Sequence, residues 1–189
     1  MDLPIVNYGH PVLRRKGASI DSITPTITKL IQNMLETMVA NHGIGLAAQQ
    51  IGQALQLTVI DVSEVTDRPS WMEIEGNRVE LDDYMPLVLI NPKVTPAGGE
   101  EIGPEGCLSF PEIFADISRP TIVDVEALDG NGQAISFRCG GLLARAVQHE
   151  VDHLNGILFI DRMSAALKQE LQPELDALQT ATRLETLKS

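Results

Sequence analysis

Apolar residues recur along this chain at two spacings, and the switches between them mark out its elements. Across Pro25–Ala40, the residues Ile27, Leu30, Ile31, Met34, Leu35 and Met38 form one stripe at the 3.6-residue period of an amphipathic helix. Thr24 is placed to cap it, Pro25 suits its first position, and Asn41-His42-Gly43 stops it. The apolar runs at 55–62 and 87–90 predict strands, the second ended by Asn91-Pro92. Residues 121–128 and 133–138 flank Asp129-Gly130-Asn131-Gly132, the composition of a hairpin turn. After Gly140-Gly141 the helical period returns in Leu142, Leu143, Ala146, Val147 and Leu154, and Asn155-Gly156 closes the run as a left-handed cap would. Residues 165–187 are a leucine-spaced amphipathic segment interrupted by Pro173. Strands mostly precede the helix at 142–154, without β-α-β alternation, which predicts an α+β fold with antiparallel pairing. No internal repeat or low-complexity tract breaks the pattern.

One stretch does not fit either period. Residues 63–86 hold seven acids, two arginines and the only tryptophan, Trp71, and read as a solvated surface loop.

Composition narrows the class. With 189 residues, 43% of them hydrophobic and 21% charged, the chain is sized for one globular domain with a real core. No apolar run approaches membrane-spanning length. The start, Met1-Asp2-Leu3-Pro4-Ile5, lacks a basic region followed by an apolar one, so we expect no secretory signal and a cytoplasmic protein. In that setting Cys107 and Cys139 are expected as a ligand thiolate or a buried thiol rather than a bridge. The net charge of −12 argues against a general nucleic-acid-binding surface.

The chemistry concentrates in Gln148-His149-Glu150-Val151-Asp152-His153. On a helix, His149 and His153 stand one turn apart on one face, where two imidazoles can grip one divalent metal and leave Glu150 free to move protons. The bland alternative is a solvated polar face. Against it, two of the chain's 4 histidines fall in this pattern, within an otherwise apolar helix where idle charges are costly to bury. A catalytic site of this kind takes a third protein ligand. A further histidine six residues on is missing, because Phe159 stands there; Glu174 follows Pro173; Cys107 and Cys139 remain. Spacing does not choose between the two. Gly43-x-Gly45-x-x-Ala48 imitates a dinucleotide-binding turn, yet a helix precedes it and a strand follows, the wrong order for that motif. Its glycines instead suit a backbone passing close to a ligand.

Three segments together resemble the signature motifs of peptide deformylases, in the family's order: Gly43-Ile44-Gly45-Leu46-Ala47-Ala48-Gln49-Gln50, Glu105-Gly106-Cys107-Leu108-Ser109 and Gln148-His149-Glu150-Val151-Asp152-His153. The opening Pro4-Ile5-Val6-Asn7-Tyr8-Gly9-His10-Pro11-Val12-Leu13-Arg14 is also similar to the family's start, and the likeness covers roughly residues 4–163. The resemblance implies an α+β fold in which antiparallel strands surround a central metal-binding helix, followed by a C-terminal helix. It divides the chain into a catalytic domain at 1–163 and an amphipathic helical extension of that domain at 164–189. It implies Cys107, His149 and His153 as metal ligands, Glu150 as the acid/base, and Gln50 with the Leu108 backbone N–H as oxyanion donors. Ile44 and Gly45 are expected along the substrate, with Leu142 and Ala146 beside its methionine side chain. The implied cofactor is one divalent metal ion per chain, Fe²⁺ as the usual native ion, with Zn²⁺, Ni²⁺ or Co²⁺ able to replace it. The implied reaction removes the formyl group from N-formylmethionyl nascent polypeptides; an H-E-x-x-H endopeptidase is the alternative. Some family members are thought to meet the ribosome through a basic C-terminal helix. Here residues 165–189 carry three basic against four acidic side chains, so only weak ribosome contact is expected. Two departures stand out: Phe114 occupies a place where many members have arginine, and Arg145, one turn before His149, is expected to pair with a carboxylate.

Overall fold

The computed structural model describes residues 2–188. Helix α1 spans Pro25–Ala40, and the Thr24 hydroxyl accepts from the Ile27 N–H at 3.3 Å to cap it. Its stripe buries Ile31, Met34 and Met38. Strands β1 (Gly45–Ala47) and β2 (Leu57–Ile60) follow, both wholly buried. Then come β3 (Ser70–Ile74), β4 (Asn77–Val79), β5 (Leu87–Pro96), β6 (Glu100–Cys107), β7 (Phe110–Pro120), β8 (Ile122–Leu128) and β9 (Ala134–Gly141). Helices α2 (Leu142–Leu154) and α3 (Ala165–Thr186) complete the chain.

Seven strands form one antiparallel sheet in the order β1-β2-β5-β8-β9-β3-β4, and β6 pairs with β7 as a separate two-stranded sheet. The β8–β9 hairpin turns where the sequence predicts, with Asp129 Oδ1 accepting from the N–H groups of Asn131 and Gln133 at 2.8 and 2.9 Å. Leu143 and Val147 of α2 pack on Ile60, Met72, Leu89, Val125 and Cys139 of the large sheet. Met34 and Met38 of α1 meet Leu46, Leu57, Val59 and Ile90. A third cluster joins Phe110, Ile113 and Ile117 of β7 to Phe159 and Leu175. Each such side chain contributes about 1.5–3 kcal/mol by leaving water. Helix α2 thus lies in the middle, touching strands of both sheets. This is the α+β arrangement expected.

Four expectations need correction. Residues 63–86 are not simply a solvated loop: β3 pairs with β9, sets Met72 opposite Cys139, and buries Met72 completely. The same segment begins the site helix, because the Pro69 carbonyl accepts from Leu142 N–H at 3.1 Å and the Ser70 hydroxyl from Leu143 N–H at 2.9 Å. Asn91-Pro92 does not end β5. The strand passes through a bulge between Ile90 and Lys93, where Asn91 adopts φ 51° and its side chain bonds both the N–H and the carbonyl of Ile20. Pro173 does not interrupt α3; it sits on an exposed face, where water can serve the backbone group its ring leaves unpaired. The strand at 55–62 is shorter, Leu57–Ile60.

Candidate active site

Two elements from distant parts of the chain converge on α2. Cys107 ends β6, Gln50 lies in the 3₁₀ turn Ala48–Ile51, and His149, Glu150 and His153 project from α2. The ligand atoms of Cys107, His149 and His153 all lie within 4.8 Å of one another, with Cys107 Sγ 3.3 Å from His153 Nε2. Both histidines are buried, and their rings stand 5.1 Å apart. Cys139, by contrast, is completely buried in the sheet, where desolvation, helped by the Asp124 charge, pushes its thiol up to about 12. Phe159 is a core residue whose ring packs 5.9 Å from that of His149 but carries no ligand atom, and Glu174 is exposed on α3.

A buried ionic network holds the trio in orientation. Glu105 lies on β6 two residues before Cys107, with a register shift between Gly106 and Cys107. One of its oxygens accepts from His149 Nδ1 at 2.9 Å; the Arg119 guanidinium grips both oxygens at 2.6 and 2.8 Å, and Arg145 adds a contact at 2.9 Å. Arg119 also donates to Asp152 at 2.8 Å, and Arg162 closes on Asp152 from outside. Burial alone would raise the Glu105 carboxyl, but Arg119 and His149 hold it well below the carboxylate range. Ionised Glu105 is acceptor-only, so His149 Nδ1 carries the proton and its Nε2 is left to face the cluster. Burial works against a charged His149, but its hydrogen bonds to Cys107 and Glu105 outweigh that and raise its pKa. Burial, reinforced by His149, lowers His153 and keeps it neutral. Arg145 therefore pairs with a carboxylate, as expected, and also donates to the carbonyls of Ile117 and Glu101.

Glu150 is buried beside the trio with its Oε2 lacking any hydrogen-bond partner. Desolvation is the main cause that pushes its carboxyl up to about 7, with His149 opposing and Glu105 adding. Gly45 is a glycine for a steric reason: a Cβ there would lie 2.8 Å from Glu150 Cγ and Cδ and closer still to Oε1. The Gln50 carbonyl is held by the Ala47 N–H at 2.9 Å, which turns its amide nitrogen toward Cys107 Sγ at 3.5 Å and Ser109 Oγ at 3.3 Å.

These groups open on one cavity of about 420 Å³, within the usual range for small-ligand sites. The structure brings Ile44, Gly45, Gln50, Cys107, Leu108, Leu142, Ala146, His149 and Glu150 together on its wall, while His153 sits behind it, buried. Sequence reasoning quoted Glu105, Ser109 and Asp152 within the motifs without giving them a role, and missed Arg119. For Glu105 a signal existed, an acid two residues before the cysteine.

A cysteine sulfur and two imidazoles beside a partnerless buried carboxylate form a cluster of the kind that could hold a metal ion in a hydrolase. Comparison with known proteins makes the assignment specific. The polypeptide deformylase family matches residues 2–169. A peptide deformylase of Opitutus terrae is 44% identical over 185 residues, covering 97% of this chain and 96% of its own length. One from Methylacidiphilum infernorum is 44% identical over 188 residues, covering 100% and 98%. The crystal structure of peptide deformylase from Ehrlichia chaffeensis is similar with a TM-score of 0.82 at 33% identity, covering 98% of this chain and 99% of that one. The chain belongs to the polypeptide deformylase family and is a hydrolase. The endopeptidase alternative finds no support in these matches. Among the described residues, no helix is long and apolar enough to cross a membrane.

Proposed function

We propose that the buried trio and its neighbours carry out the family's reaction, removal of the N-formyl group from the N-terminal formylmethionine of newly synthesised polypeptides. The observation that carries this reading is the convergence of Cys107, His149 and His153 with the partnerless Oε2 of Glu150 on one cavity. The donor set fits a metal ion: two imidazoles and a sulfur in mutual reach, one imidazole locked by a carboxylate in the tautomer that leaves its other nitrogen free. Soft sulfur with imidazole suits Fe²⁺ as the native ion, one per chain, and also Zn²⁺, Ni²⁺ or Co²⁺. When bound, such an ion supplies Lewis acidity to a water molecule and to the formyl carbonyl.

The protein groups then have distinct tasks. Glu150 takes the proton of the attacking water, its raised pKa matching that work near neutral pH. As the water oxygen bonds the formyl carbon, Gln50 Nε2 and the Leu108 N–H donate to the oxyanion that develops. The C–N bond then breaks, Glu150 returns the proton to the leaving amine, and formate and a free N-terminus result. Ile44 and Gly45 lie along the bound peptide. Leu142 and Ala146 wall the cavity for the unbranched methionine side chain. A cytoplasmic setting, where thiolate ligands stay reduced, and weak contact with the ribosome complete the reading.

Metal analysis of anaerobically purified protein, combined with a formyl-Met-Ala assay on parent and Glu150→Gln, tests it. The parent should hydrolyse the peptide with about one metal per chain, and Glu150→Gln should keep the metal while kcat falls by ~10²–10⁴. A metal-loaded Glu150→Gln enzyme with near-parent kcat would overturn the role of Glu150.

A further inference from the structure

Both groups assigned to the oxyanion meet at one serine. Leu108 and Ser109 are the two residues that join β6 to β7, since Cys107 pairs with Phe110 across the turn. Ser109 is completely buried, and each of its oxygens has its own partner. Its hydroxyl accepts from Gln50 Nε2 at 3.3 Å, and its carbonyl accepts from the Tyr8 N–H at 2.8 Å. Two residues before Tyr8, the Val6 N–H donates to the backbone carbonyl of Gln50, also at 2.8 Å. Segment 6–8 therefore ties the backbone of Gln50 to the turn that carries the Leu108 N–H. The tie is pinned in the core, because the Tyr8 ring stacks on Phe110 at 4.9 Å and Phe110 meets Phe159 edge-on at 5.0 Å.

A glutamine amide offers one acceptor oxygen and two N–H groups. In Gln50 the oxygen is taken by the Ala47 N–H at 2.9 Å, and the nitrogen contacts Ser109 Oγ and, at 3.5 Å, Cys107 Sγ. Sulfur is the weaker acceptor of the two. The N–H facing Cys107 is thus the one released to an oxygen that gains charge beside the cluster, while Ser109 keeps the other. Without the hydroxyl the amide is held at its oxygen alone, and its terminal torsion, a broad one by nature, lets it turn away. We infer that Ser109 is a positioning residue for deformylation: its hydroxyl aims the Gln50 amide at the oxyanion, and its carbonyl, tied to Tyr8, fixes the turn that presents the Leu108 N–H. Donors fixed beforehand stabilise the developing charge without reorganising at the moment of reaction. The inference rests on the deformylase reading and adds to it the group that holds its two donors in register.

The test measures kcat and KM on formyl-Met-Ala for the parent, Ser109→Ala, Gln50→Ala and the double variant, each loaded with metal and assayed well below its melting temperature. Ser109→Ala should lower kcat by about tenfold, the scale of one hydrogen bond, with KM within about twofold, because the oxyanion exists only in the transition state. Gln50→Ala should cost ~10²–10³ in kcat. Adding Ser109→Ala to Gln50→Ala should cost less than about twofold more, since the amide it aims is gone. Ser109→Gly removes the same hydroxyl and should repeat the pattern, which keeps the test open if the alanine protein does not fold. A parent-level kcat in a folded variant without the hydroxyl, or an equal loss with and without Gln50, would overturn the role of Ser109 alone. A metal-loaded parent that left formyl-Met-Ala intact would overturn the deformylase reading and this role with it.

Discussion

Replacing Glu105 by Gln keeps its shape and removes its charge, and the structure says what that should do. The carboxylate faces two guanidiniums and one imidazole N–H in a region where its own side chain is 5% exposed and that of Arg119 is 4%. Removing one member of a buried pair usually costs ~3–5 kcal/mol, because the partner's charge is left without compensation. Arg119 retains Asp152 at 2.8 Å, which places the expected loss at the lower end, about 3 kcal/mol. For a chain of this length each kcal/mol moves Tm by about 2–4 °C, so the midpoint should fall by about 6–12 °C. A second consequence is separable from the first. Without an ionised acceptor, His149 loses what fixes its tautomer, and loss of such a partner typically weakens metal binding by ~10–100-fold. Thermal denaturation in chelator measures the first effect free of metal, and a metal titration at a temperature where both proteins are folded measures the second. A variant that melted within about 2 °C of the parent and bound metal within about twofold would refute the argument for this network.

The remaining predictions concern single residues and α3. Cys107→Ala should lose metal, whereas Cys139→Ala should keep about one equivalent; equal loss from both would undo the ligand assignment. Cys139 also titrates higher in the folded state than in the unfolded one, so its contribution is intact below about pH 9 and is lost as pH rises toward 12. Urea unfolding from pH 8 to 10.5 should therefore show a decline approaching ~1.4 kcal/mol per pH unit from this thiol, absent in Cys139→Ala, and identical slopes in the two proteins would contradict it. Ala146→Phe should fill the cavity beside His149 and lower kcat/KM for formyl-Met peptides with metal retained; parent-level hydrolysis by the loaded variant would move the methionine pocket elsewhere. Truncating the chain after residue 164 should not abolish any tight ribosome binding, because the acidic balance of α3 gives it little attraction for RNA, and a strong salt-sensitive association lost on truncation would show otherwise.

What the sequence made legible was local. The bounds of α1 and the start and stop of α2 follow from a period and a cap within a few residues of each other, and both stand where expected. β6 was not legible, because Glu100–Cys107 mixes acids, glycine and proline and becomes a strand only by pairing with β7. On β7 the buried face runs Ile113, Ala115, Ile117 and then Arg119, a charged residue that breaks the apolar signal and is tolerated only because Glu105 and Asp152 surround it. The role of 63–86 was hidden for the same reason: acidic and irregular in sequence, it gains its place from β9, about 70 residues later. The trio was legible as motifs, but the network behind it spans residues 105, 119, 145 and 152, and separation of that kind leaves no periodic trace.

The caps that Pro69 and Ser70 place on α2 do more than satisfy two N–H groups. A helix held only by side-chain packing can roll slightly about its own long axis, and at the ~5–6 Å radius of its side chains a roll of about 10° displaces an outer atom by about 1 Å. A metal site tolerates only about 0.2 Å in its ligand distances. Both histidines and Glu150 ride on the same helix, so they would swing together while Cys107 and Gln50, on other elements, stayed still. By gripping Leu142 and Leu143 at the first turn, the start of β3, the strand next to β9, sets the rotational phase of α2 and with it the aim of three side chains seven to eleven residues beyond Leu142.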